Sequence, residues 1–110
     1  MKIKLKQNID GIMALNSICE MIVNDQTPTI GARVTRSVFE DIHKLVKKHL
    51  EKAMQEHDIF NVKKKYTIVL KLHEAYAIHE GTMTFVETFG NPLTKTKLNQ
   101  IKDFLNRQIT

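Results

Sequence analysis

Two stretches of helical periodicity stand almost back to back in this chain, and that arrangement leaves it few ways to fold. In the first, residues 9–24, Ile12, Leu15, Cys19 and Ile22 recur at steps of three and four, with Ile9, Ile18 and Val23 widening the stripe. Asn8 suits the N-cap and Asp10 the positive first turn, while Gly11 weakens that turn. The run Asn24-Asp25-Gln26-Thr27-Pro28 then ends the helix and reverses the chain. The second stretch, residues 30–57, carries Val34, Val38, Ile42, Leu45, Val46, His49, Leu50 and Ala53 along one seam. Ser37 and Glu40 match a capping box, so that helix could also start or bend there. A short link between two amphipathic helices predicts an antiparallel helical hairpin.

The rest of the chain divides the expectation. Residues 2–6 alternate Lys2, Lys4 and Lys6 with Ile3 and Leu5, the pattern of a half-buried strand. Residues 64–90 admit two readings. As a helix, Ile68, Leu72, Ala75, Tyr76, His79, Met83 and Val86 share a side. As a β-hairpin turning at Glu80-Gly81, Tyr66, Ile68, Leu70, Leu72, Tyr76, Ile78, Met83, Phe85 and Phe89 line the inner face. Gly81 and the threonines around it favour the hairpin. The facing of Glu74 against Glu87 that it requires counts against it. Residues 92–108 read as a last helix, with Asn91 as N-cap, Pro92 at its first position, and Leu98, Ile101, Leu105 and Ile109 as its buried stripe. The expected fold is therefore α+β and mainly helical. A helical hairpin packs with a small antiparallel sheet or hairpin and a C-terminal helix, in a single domain spanning residues 1–110. An all-α bundle is the alternative.

Several chemistries find no support. His43 and His57 share a helix side but lie about four turns, ~20 Å, apart. The Glu40/His43 spacing of di-iron bundles occurs once where two such pairs are needed. No cysteine pair or His-Glu-x-x-His pattern suggests zinc. Cys19 lies on the buried stripe of its helix, a setting for a core residue and not for a nucleophile. Glu74 and Glu87 would form a carboxylate pair only in the hairpin register. The four glycines are scattered and build no phosphate loop. The chain is thus read as non-enzymatic, with no cofactor and no metal. The lone cysteine and the lack of a signal-like or membrane-spanning stretch lead us to expect a reducing, cytoplasmic setting and no membrane partner.

What remains is charge and greasy surface. The net charge of +5 sits in blocks, above all Lys2, Lys4 and Lys6 at the start and Lys63, Lys64, Lys65 and Lys71 later. Were the first strand to pair with the later sheet, these lysines would join into one patch suited to phosphates or an acidic protein. Edge lysines also serve to block sheet-to-sheet aggregation. The long second helix outruns its shorter partner, which predicts leftover apolar seam for a protein partner or another copy of the chain. A protein-binding or assembly module is the first functional expectation; a basic nucleic-acid-associated protein is the second.

The order of residues 1–57 resembles a family of small tailed-bacteriophage proteins of unknown function. The likeness lies in the start Met1-Lys2-Ile3-Lys4-Leu5, the helix with Ile12 and Ala14-Leu15, the link with Pro28 and the long charged helix. That family's link reads Leu-Pro where this chain has Thr27-Pro28, and the later segments do not match. The resemblance implies a phage origin with an accessory, assembly or host-directed role, in the host cytosol or the virion. It supplies no catalytic residues.

Overall fold

The computed structural model describes residues 2–24, 30–56 and 63–109, with backbone alone for 30–35. The chain order is β1 (Lys2–Gln7), α1 (Ile9–Val23), α2 (Ile30–Glu56), β2 (Tyr66–Lys71), α3 (Leu72–Phe85), a short 3-10 turn (Val86–Thr88) and α4 (Pro92–Ile109). The fold is mainly helical α+β, with one two-stranded antiparallel sheet among the described residues. The link residues 25–29 and His57 lie outside the described residues.

Each well-signalled helix starts where its cap residue puts it. Asn8 accepts a hydrogen bond from the Gly11 amide at 3.0 Å and opens α1. At Gly11 the Gln7 side chain lies over the backbone, and its flexible end would have to move aside for any Cβ placed there. Asn91 accepts from the Leu93 amide at 2.9 Å and opens α4 at Pro92. No break interrupts α2 at Ser37, so the capping-box start is not used. Its 27 residues, about 40 Å of helix, run nearly the length of a molecule 45 Å in its longest extent.

α1 and α2 form the expected hairpin, and α4 and α3 close over it. One core collects Ile12, Leu15, Ile18 and Cys19 of α1, Phe39, Ile42 and Val46 of α2, Ile78 of α3, and Leu98, Ile101 and Leu105 of α4. The sheet joins this core from one side. Ile3 pairs with Leu70 and Leu5 with Ile68, all facing inward and buried. Each such side chain contributes on the order of 1.5–3 kcal/mol by leaving water.

Residues 64–90 need a correction. They are neither a β-hairpin nor one helix. Tyr66–Lys71 is a strand with the predicted inward Tyr66, Ile68 and Leu70, but its partner is β1, and at Leu72 the chain turns directly into α3. The Glu80-Gly81 turn does not exist: both residues lie inside α3. Two contacts explain the switch. The Glu74 carboxylate accepts the Lys71 amide at 2.8 Å, satisfying the backbone where the helix begins. Gly81 is buried against the side chains of Ile22 and Phe39, where its missing Cβ lets α3 come close. The helix also turns Tyr76 and Met83 outward, at 46% and 57% exposure, where the hairpin had them inside.

Candidate anion-binding face

One side of the β1–β2 sheet is consumed by the core, so strand alternation turns the other side to solvent. That outer face carries Lys2, Lys4 and Lys6 from β1 and Lys71, Val69 and Thr67 from β2, all exposed. Lys2 stands directly opposite Lys71, Lys4 opposite Val69, and Lys6 opposite Thr67. Lysines on β1 repeat every second residue, ~6.6 Å, and the strands lie ~4.8 Å apart. Among the described residues none of these four lysines pairs with a carboxylate. The face carries a row of three lysines along β1 and one more at the end of β2, beside the neutral Val69 and Thr67.

The other predicted lysines fare differently. Lys63 and Lys65 are exposed in the approach to β2. Lys64 is committed elsewhere: its Nζ lies 2.6 Å from Glu56 Oε2, which also accepts the Tyr66 hydroxyl at 3.0 Å. The Lys64 ammonium stands 5.3 Å from the Tyr66 ring centre as well. The hydrogen bond from Lys64, then that from Tyr66, holds the Glu56 carboxyl below its ordinary range. The Tyr66 phenol is pushed up, first by partial burial and then by its bond to Glu56. This contact links the end of α2 to the start of β2 at a part-exposed surface, where such pairs hold only weakly. It turns Lys64 toward Glu56 and away from the outer face of the sheet.

The chain matches no protein-family model, no curated protein and no solved structure. The functional reading therefore stands on the residues themselves.

The histidine and carboxylate candidates are not drawn together. Glu74 is buried at the start of α3, whereas Glu87 is exposed beyond its end and approaches Lys95 at 3.5 Å. His43 points to Glu20 of α1 at 4.0 Å, and His49 Nδ1 lies 3.0 Å from the Leu45 carbonyl. Among the described residues no three His, Cys, Asp or Glu side chains gather as metal ligands would. None of the described helices is long and apolar enough to cross a membrane.

Cys19 is fully buried, and burial first, then the nearby Glu20 charge, pushes its thiol up to about 12. A disulfide reagent at pH 8 should leave it untouched in the folded protein and titrate it once denaturant is added. Prompt native labelling would mean that α1 is not packed as described. The folded state keeps this proton longer than the unfolded chain, whose thiol ionises near pH 8.5. The associated stability is therefore complete below about pH 8.5 and is lost as pH climbs from there.

Two features escaped the sequence reading. Val69 joins Thr67 and Lys71 on the cationic face, a placement that the alternation of residues 66–71 already encodes. A shallow open groove of about 250 Å³ lined by Ile9, Asp10, Met13 and Met54 lies between α1 and α2. Its methionines are 48% and 60% exposed. Val34 of the predicted seam lies outside the described side chains; among those described on α2, Phe39, Ile42, Val46 and Ala53 are buried, and Val38, Leu45 and Leu50 are partly so. The broad apolar surplus expected from a helix outrunning its partner is absent among the described residues.

Proposed function

We propose that this protein is a non-enzymatic binding module that holds an anionic partner on the outer face of its sheet. The observation that carries this reading is the facing of Lys2 and Lys71. Like charges directly opposite across two strands destabilise a sheet, and here a third and fourth lysine extend the same face with no acid among them. Edge protection alone needs no such opposition, since single lysines on each strand already discourage edge pairing. A polyanion relieves the repulsion and gains several charge contacts at once. The phage-like pattern of residues 1–57 adds a setting, an accessory or host-directed role; capsid, tail or early phage genes beside the gene would support it.

The test compares two charge-matched variants. One replaces Lys2, Lys4, Lys6 and Lys71 with Gln. The other replaces Lys44, Lys47, Lys48 and Lys52, exposed on α2. With heparin as a general polyanion at low salt, the sheet variant should bind at least about 10-fold more weakly, and the α2 variant should lose far less. Equal losses would mean that net charge alone is at work and would remove the sheet as the site.

A further inference from the structure

We infer that the anionic partner is double-stranded B-form DNA, with the β1–β2 ribbon seated along the major groove and its lysines on the flanking phosphates. This rests on the reading of the sheet as an anion-binding face, and it narrows that reading to one partner.

The composition of the face argues against a protein partner. Protein interfaces draw most of their energy from Trp, Tyr, Arg and Met anchors set in pockets, and their centres are depleted in lysine. This face presents lysines, one threonine and one valine, with no anchor. Phosphate binding needs nothing else, because lysine–phosphate contacts alone supply most non-specific affinity for nucleic acid.

Single strands fit less well. Proteins that hold them stack bases on aromatic side chains. The nearest aromatic, Tyr66, faces inward, is buried, and has its hydroxyl on Glu56. A duplex also offers twice the charge along its axis, one per ~1.7 Å.

Shape then separates DNA from RNA. A B-form major groove is ~12 Å wide and admits a two-stranded ribbon, whereas the A-form groove is deep and narrow. Here the ribbon is two strands wide, is backed by helices on one side only, and runs six residues, ~20 Å at ~3.3 Å each. Lysines along β1 and at the end of β2 stand on both sides of the ribbon. The outer face holds no Arg, Asn or Gln, so base-edge contacts are left to its lysines and Thr67, and with the lysines on phosphates little sequence preference follows.

The experiment titrates labelled random-sequence duplex DNA, duplex RNA of the same sequence, single-stranded DNA and poly-L-glutamate against the full chain over a range of salt. Duplex DNA should bind tightest, with a slope of log K against log salt of about −3.6 for four phosphate contacts. Lys4→Gln should make the slope shallower by about 0.9. Val69→Lys, on an exposed position facing Lys4, should steepen it by the same amount and tighten binding while the variant melts at the parent temperature. Tighter binding of poly-L-glutamate than of duplex DNA overturns the DNA assignment and leaves the anion-binding reading intact. Equal binding of RNA and DNA duplexes, or preference for the single strand, overturns the groove seating. Failure of all four probes overturns both readings. A variant that still melts cooperatively at the parent temperature counts as folded.

Discussion

Phe39→Ala should lower stability by about 3–5 kcal/mol, the cost of emptying a sealed aromatic site. Phe39 is 0% exposed, and its ring lies against the Gly81 backbone at the crossing of α2 and α3, with Ile22 of α1 beside it. Three helices thus meet on one side chain. They are held by separate hydrogen-bonded segments, so collapse onto the gap is limited and the cavity persists. A domain of this size has about 5–15 kcal/mol in total, so the substitution would consume a large share. Urea unfolding followed by helix signal should show the midpoint falling with little change in slope. A loss below about 1 kcal/mol would place the ring at the surface and undo the described crossing.

Gly81→Val should be the second severe change, costing about 1–3 kcal/mol through overpacking. A Cβ at Gly81 would sit 2.9 Å from both Ile22 Cδ1 and Phe39 Cζ. Ile22 Cδ1 is the free end of a side chain and can yield, whereas the Phe39 ring is enclosed. Gly81→Ala brings the same Cβ against the enclosed ring; alanine's gain of up to about 1 kcal/mol over glycine inside a helix offsets only part of that crowding, so this variant should be destabilised too, but less than Gly81→Val. Phe39→Leu in the Gly81→Val background should restore part of the loss, because the two side chains compete for one space. Additive effects would show that the glycine serves some purpose other than close approach.

That glycine also shows what the sequence could and could not disclose. α1, α2 and α4 were legible because their burial is one-sided and their caps are of the usual kinds: Asn8 and Asn91 both cap as read. β1 and the first half of the 64–90 segment were legible from alternation. The switch from strand to helix at Leu72 was not. Threonine and glycine weigh against a helix on average, but that average omits a neighbouring ring that needs the glycine. The Glu74 cap was hidden because lysine, at Lys71, stands where Ser or Thr would announce a capping box. The expected clash of Glu74 with Glu87 was the warning that the hairpin register could not hold. At the candidate site, the union of Lys2, Lys4 and Lys6 with Lys71 followed once the strand partner was known. The withdrawal of Lys64 depended on the end of α2 arriving beside it, which no local pattern encodes.

β1 and β2 come from opposite ends of most of the chain, since Lys2 meets Lys71. Closing so long a loop costs about 4 kcal/mol of chain entropy, and inward Ile3, Leu5, Ile68 and Leu70 must offset it. A nascent chain consequently owns two separate lysine tracts long before it owns a surface. Only the finished molecule brings them side by side, so a polyanion bound there, as proposed, would be linked to completion of the sheet, each drawing the other forward.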